Sequence, residues 1–133
     1  MATFFDVQTA LYKRLIDNPA LAELATGVYD YVPDATVYPY VVLDESSFTR
    51  DAAVDQSRRF LLEQTVRAFS NDALVEKGWR QVRDIADVVW REFEAKPLYL
   101  GQQRLQTLIG RGSFVRGEGS VRMAALVVQV YFF

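Results

Sequence analysis

The run VRMAALVVQVYFF, residues 121–133, places Val121, Met123, Ala125, Val127 and Tyr131 on one side and Leu126, Val128, Val130 and Phe132 on the other. Successive side chains of a strand point to opposite faces, so this reads as a strand apolar on both. Such a strand needs cover on each face. The protein's own helices supply one cover. For the other, a neighbouring subunit and an interior position within one domain both fit the pattern.

Working outward, the link VRGEGS carries two glycines, which suits a tight turn. Residues 103–116 and 120–133 therefore read as a terminal β-hairpin. Before it, Ser70, Asn71 and Asp72 offer caps for a helix over 72–95 that Pro97 ends. Leu74, Gly78, Val82, Ile85, Val89 and Phe93 share one side of that helix, and Trp79, Ala86 and Trp90 widen the stripe at one edge. Arg80–Asp84, Arg83–Asp87 and Asp87–Arg91 stand at the spacing of surface ion pairs. Residues 58–69 alternate, with Phe60, Leu62, Val66 and Ala68 facing in and Arg59, Glu63, Thr65 and Arg67 facing out. Gln64 is the polar exception on the inner side.

In the N-terminal half, Phe4, Val7, Leu11 and Leu15 predict a helix over 3–17. Asn18-Pro19 caps and opens a short second helix, with Gly27 as its stop. Strands follow over 28–32 and from Pro39-Tyr40 through Leu43, joined by a turn at Pro33-Asp34-Ala35. Residues 46–57, SSFTRDAAVDQS, are polar enough for an exposed loop or a long hairpin tip. The pattern predicts an α+β fold: a mostly antiparallel sheet of about five strands, with the long helix and the N-terminal helix packed mainly on one face. A chain of 133 residues fits a single domain over 1–133.

Composition narrows the chemistry. The chain has neither cysteine nor histidine. Disulfides, thiolate and imidazole metal sites, and nucleophiles activated by histidine are all unavailable. Half of the residues are hydrophobic, enough for a core, but no run reaches the roughly 18 apolar residues of a membrane span. The N-terminus lacks the basic-then-apolar pattern of a secretory signal. The net charge of −2 argues against a general nucleic-acid binder.

Carboxylates come in near pairs: Asp44 with Glu45, Asp84 with Asp87, Glu92 with Glu94. A metal-dependent enzyme would use such pairs, but arginines surround Asp84 and Asp87, and Asp44 and Glu45 have no evident third ligand. Gly110-Arg111-Gly112 and Gly117-Glu118-Gly119 lack the Lys-Ser/Thr and helix of a phosphate loop and read as a bulge and a turn. Arg104, Arg111, Arg116 and Arg122 gather positive charge on the last hairpin. A solvated ribbon, a protein interface and a nucleic-acid contact all fit them. Trp79 and Trp90 fit either core packing or an oligomer contact.

The run Asp17-Asn18-Pro19-Ala20-Leu21-Ala22-Glu23-Leu24, then Gly27-Val28-Tyr29-Asp30, Val32-Pro33 and Pro39-Tyr40-Val41-Val42-Leu43, resembles the tail terminator (tail completion) family of siphophages and gene transfer agents. The shared order of elements runs over essentially the whole chain. A departure is the aromatic end, Val130-Tyr131-Phe132-Phe133, where the family leads one to expect a more polar tail.

The resemblance implies a structural virion protein and no enzyme, cofactor or metal. It implies a ring, usually hexameric, at the head-proximal end of the tail tube, which ends tube polymerisation and offers a joining surface to the head. The implied partners are further copies of the chain, the major tail tube protein and a head completion or connector protein. Genomic DNA passes through the lumen without sequence-specific binding, and no membrane is involved. The implied location is the head–tail junction of the virion, with the host cytoplasm during assembly. Phe48, Arg50 and Asp51 of the polar segment, Trp79, Trp90, and Arg111, Arg116 and Arg122 are the candidate contacts. Competing readings are another neck or minor tail protein such as a connector stopper, and a nucleic-acid-binding module using the last arginines.

Overall fold

The structure, a computed structural model, describes residues 3–50, 59–73 and 77–132. Among these residues lie three helices, α1 (Phe4–Ile16), α2 (Pro19–Leu24) and α3 (Gly78–Ala95). The strands are β1 (Val28–Tyr29), β2 (Tyr40–Arg50), β3 (Phe60–Asn71), β4 (Leu98–Leu100), β5 (Gln103–Arg116) and β6 (Val121–Phe132). They form one sheet in the order β1-β2-β3-β6-β5-β4. Its pairings are antiparallel except for β1 with β2, which is parallel. The α+β expectation holds, with six strands rather than about five.

The doubly apolar strand β6 lies inside the sheet, between β3 and β5. Leu62 stands opposite Val130, Gln64 opposite Val128, Val66 opposite Leu126 and Ala68 opposite Ala124. These residues are all buried and face the helices. From α3, Val82, Ile85, Val89 and Phe93 pack on this face, each at most 1% exposed. Val7, Leu11 and Leu15 of α1 and Leu21 of α2 complete the core. Truncating one such large side chain costs about 2–5 kcal/mol.

The opposite face of β3 and β6 carries Leu61, Phe69, Met123 and Tyr131, all half-buried, and buried Val127. Arg67 crosses this face. Its Nε lies 2.8 Å from Asp44 Oδ2 and its Nη2 lies 2.6 Å from Glu45 Oε1.

The local chemistry explains the boundaries. Thr3 caps α1 by accepting from the Asp6 amide, and Asp6 accepts in return from the Thr3 amide, a reciprocal capping box. That backbone donation, with the Thr3 hydroxyl second, holds the Asp6 carboxyl below the usual carboxylate range. Asn18 Oδ1 accepts from Leu21 N–H and Pro19 takes the first helical position, as expected. This helix ends at Leu24, before Gly27. Arg14 then ties the ends of two helices together. Its Nε lies 2.9 Å from Glu92 Oε1, and its Nη1 donates to Pro97 O at 2.8 Å. Asn18 Nδ2 and Lys96 Nζ take the other Glu92 oxygen.

Several expectations need correction. Helix α3 begins at Gly78 rather than 72, because β3 keeps pairing with β6 as far as Asn71 opposite Val121. The expected caps serve the turn instead: Asn71 accepts from Ala73 N–H, and Asp72 accepts from Gly78 N–H. Leu74 lies outside the described residues. Strand β1 spans two residues of the expected five and pairs parallel. Of the two readings of residues 46–57, an exposed loop or a long hairpin, residues 46–50 follow the second, pairing with β3, and Asp51 lies outside the described residues. Strand β4 was not expected. Its three residues give little periodicity to read.

Gln64 has a structural task. It stands where β2 bulges between Leu43 and Ser46. Its Nε2 donates to Asp44 O at 2.9 Å and Thr65 O at 3.0 Å, while its Oε1 accepts from Gln8. A buried carbonyl without a donor costs free energy, and the bulge leaves one that the ladder cannot reach. Gln64→Leu should therefore destabilise the fold by about 1–3 kcal/mol, read as a lower midpoint in urea.

Arg122 was expected among the outward contacts, but the subunit holds it inside. It is 9% exposed. Its guanidinium lies 5.5 Å from the Trp79 ring centroid. Nη1 donates to Val121 O and Gly119 O. Nε is 3.0 Å from Asp72 Oδ2, an ion pair not aligned as a hydrogen bond. Arg111 and Arg116 stay exposed. Arg122→Ala should cost roughly 1–3 kcal/mol, whereas Arg111→Ala and Arg116→Ala should each stay within about 0.5 kcal/mol. Thermal unfolding of the three variants checks this.

Candidate functional site

The six carboxylates of the near pairs all have partners within the fold. Asp44 and Glu45 hold Arg67. Asp87 pairs with Arg91 at 3.2 Å, and Asp84 with Arg80 at 4.0 Å. Glu92 holds Arg14, and Glu94 accepts from Ile109 N–H. Among the described residues no three His, Cys, Asp or Glu converge as a metal site would need. Among the same residues no helix is long and apolar enough to cross a membrane. The expected Arg83–Asp87 pair does not form. Arg83 instead lies over the rings of Trp79 and Phe114, 5.8 and 5.7 Å from their centroids.

What the molecule offers is surface, in three places. The first is the far end of the β2–β3 hairpin. Phe48 is 58% exposed, and its ring centroid is 4.2 Å from that of Phe4. Phe4 also meets Phe60 and Phe132 edge-on. Arg50 stands 5.6 Å from the Phe60 ring. Phe132 of the aromatic end thus finds cover from Phe4 of α1 and Phe60 of β3.

The second is a groove between α3 and the β5–β6 hairpin, of about 370 Å³. Trp90 and Phe114 wall it, and Ala86, Ala124 and Leu126 floor it. Gly112 adds no side chain where strand β5 passes after its bulge, so the sheet surface stays bare there. The two tryptophans part company. Trp79 packs against the core under Arg83 and Arg122, and Trp90 is 47% exposed on the groove. Sequence reasoning named Trp90 but missed Phe114 and Arg83. The glycine at 112, two residues before an outward aromatic, was the available signal.

The third is the 30–39 loop at the β1 edge, where Tyr31 is 81% and Val37 65% exposed. The loop is tied down: Thr36 Oγ1 donates to Pro33 O, Thr26 Oγ1 to Val37 O, and Thr26 N–H to Pro39 O. Tyr38–Pro39 is cis. At its root Tyr40 stacks on Phe69 and meets Tyr29 and Tyr38. Burial there, then the neighbouring Tyr38, raises the Tyr40 phenol above its ordinary value, so it is neutral at pH 7. Sequence periodicity extends the strand over residues 30–32 and puts only residues 33–35 in a turn, whereas the strand ends at Tyr29 and the loop begins there.

The site residues divide accordingly. Phe48 and Arg50 lie together at one sheet end, Trp90 lines the groove, and Arg111 and Arg116 lie along β5. Arg122 is buried within the subunit, and Trp79 is half-buried against the core.

Comparison with known proteins agrees with this fold. A chain of the virion of a native gene transfer agent particle superposes with a TM-score of 0.78 at 25% identity, over 94% of this chain and 92% of that one. The gp17 protein of bacteriophage SPP1 superposes with a TM-score of 0.61 at 18% identity, over 97% of this chain and 90% of its own. No curated protein sequence matches. The family model of the tail completion protein gp17 matches residues 9–132. The chain therefore belongs to the tail completion protein gp17 family, structural proteins of phage and gene-transfer-agent virion tails.

Proposed function

We propose that the chain closes into a ring at the head-proximal end of the tail tube, ends tube polymerisation there, and presents the surface on which the head is joined. One observation carries this reading. The sheet has two different, largely unpaired edges on opposite sides of the body. Strand β1 pairs with β2 only at Val41 and Val42, and β4 pairs with β5 only as far as Leu105. Among the described residues, the outer edges of β2 from 43 to 50 and of β5 from 106 to 116 meet no strand.

An unpaired edge is a template for another chain. Two unlike patches on one body form a heterologous interface, which makes a ring when the rotation closes. Strands β2 and β5 also run in opposite directions, so edge-to-edge addition of successive copies would be antiparallel.

The partners follow from position. Copies of the chain meet through the two edges. The tube protein and the head connector meet the two axial faces, where the hairpin end with Phe48 and Arg50 is available. DNA crosses the lumen without base-specific grip, which a net charge of −2 suits. The activity is geometric complementarity, with no bond made or broken.

Particles assembled without the chain test this. Negative-stain images should show tails of irregular, excessive length and heads without tails. Tails of normal length joined to heads would refute it.

A further inference from the structure

We propose that the 30–39 loop of one copy seats Tyr31 in the groove between Trp90 and Phe114 of the next copy. This rests on the ring reading above and names its contact.

Four observations converge on it. The first is position. Val28 pairs with Val41, Val41 with Ala68, Ala68 with Ala124, and Ala124 with Phe114. That is one row across the sheet, from the edge strand beside the loop to the wall of the groove. Knob and groove therefore lie at the same level on opposite sides of one body, as a head-to-tail repeat demands.

The second is shape. Tyr31 is the most exposed of the large apolar side chains among the described residues, on a loop already fixed by its own hydrogen bonds. A preformed protrusion loses little entropy on docking. The groove, of about 370 Å³, is of a size to admit an aromatic ring, and it lies beside the β5 edge that β4 leaves bare.

The third is surface chemistry. Trp90 and Phe114, both about half-exposed, flank an alanine and leucine floor. Aromatic side chains seated in such pockets dominate interface energies.

The fourth is charge. Asp30 and Asp34 flank Tyr31 and have no cationic partner among the described residues. Arg83 on the groove and Arg116, two residues beyond Phe114 on β5, have no carboxylate partner there either, while Asp87 in the groove is already held by Arg91. Acidic loop and basic rim are complementary, which favours this pairing and orients it.

The absence of cysteine makes the test clean. Val37→Cys and Asp87→Cys are introduced together, and the chain, alone or on isolated tail tubes, is treated with a short bis-maleimide linker. Both positions are exposed, so the fold should be retained, which circular dichroism verifies. A ladder of covalent multimers on a denaturing gel is expected, with none from the pair Val37→Cys and Glu23→Cys. Tyr31→Ala should raise the concentration of half-assembly by about thirtyfold. Rings that form without the ladder, or with Tyr31→Ala unchanged in assembly, would overturn the contact and leave the ring standing. A wild-type chain that never multimerises, alone or on tubes, would overturn both.

Discussion

Everything in this fold follows from a central strand that is apolar on both sides under helices that cover only one. Strand β6 sits between β3 and β5, and its even-numbered residues meet α3. Its odd-numbered residues face away, and the protein meets that cost with long side chains rather than a second layer. Arg67 lays its guanidinium beside Met123, with Nη1 3.7 Å from the sulfur, and is pinned by Asp44 and Glu45, and Arg59 reaches over the Tyr131 ring at 4.8 Å. The face is thereby half-covered without adding a layer, and both flanks of the sheet remain accessible. A second helical layer would have given a more self-sufficient domain with less surface to share.

Polar residues placed inside serve connections that the ladder cannot make. Gln64 answers the carbonyls of the β2 bulge, and the bulge turns the hairpin end where Phe48 and Arg50 project. Glu92, 8% exposed on the helix facing α1, gathers Arg14, Asn18 and Lys96. Breaking such a cluster from one side would strand a buried charge, so it fixes how the N-terminal helices sit on α3. Trp90, on the side of α3 away from that cluster, stays exposed over β5.

The architecture was legible because its signals are long. The period of β3 and the stripe of α3 extend over many residues, and a glycine in the last turn supplies the positive φ that other residues resist. Gly119 does sit at φ +62° in that turn. What sequence missed was short or relational. β4 is three residues long, and β1 pairs over two. The helix caps at Asn71 and Asp72 were real hydrogen-bond acceptors, spent on a turn because strand pairing reached further than propensity suggested. Among the candidate contacts, Arg122 and Arg116 stand opposite each other on neighbouring strands, yet one is buried and the other exposed. The difference is Asp72 and Trp79, which only the folded chain brings beside Arg122. Tyr31 falls in the alternating run 28–32 and so reads as a strand residue, but the strand ends at Tyr29 and the exposed position of Tyr31 on the loop is set by the fold rather than by that alternation.

Ending a polymer is a matter of which surfaces fail to match. In a closed ring of head-to-tail copies, the two sheet edges are used up by neighbours, and the two axial faces are necessarily different from each other. Growth along the axis stops if one face fits the tube and the other does not fit the first face of another ring. Nothing in that requirement calls for a nucleophile, a base or a metal, and a chain without histidine or cysteine loses nothing by lacking them. It calls instead for rigid, unlike surfaces at fixed positions. A sheet whose rows run in register from β1 to β5 holds its two edges at a set spacing, and helices kept to one side leave those edges clear. On the ring reading, the in-register sheet sets the angle between neighbours, and the closed number of copies follows from that angle rather than from any single contact.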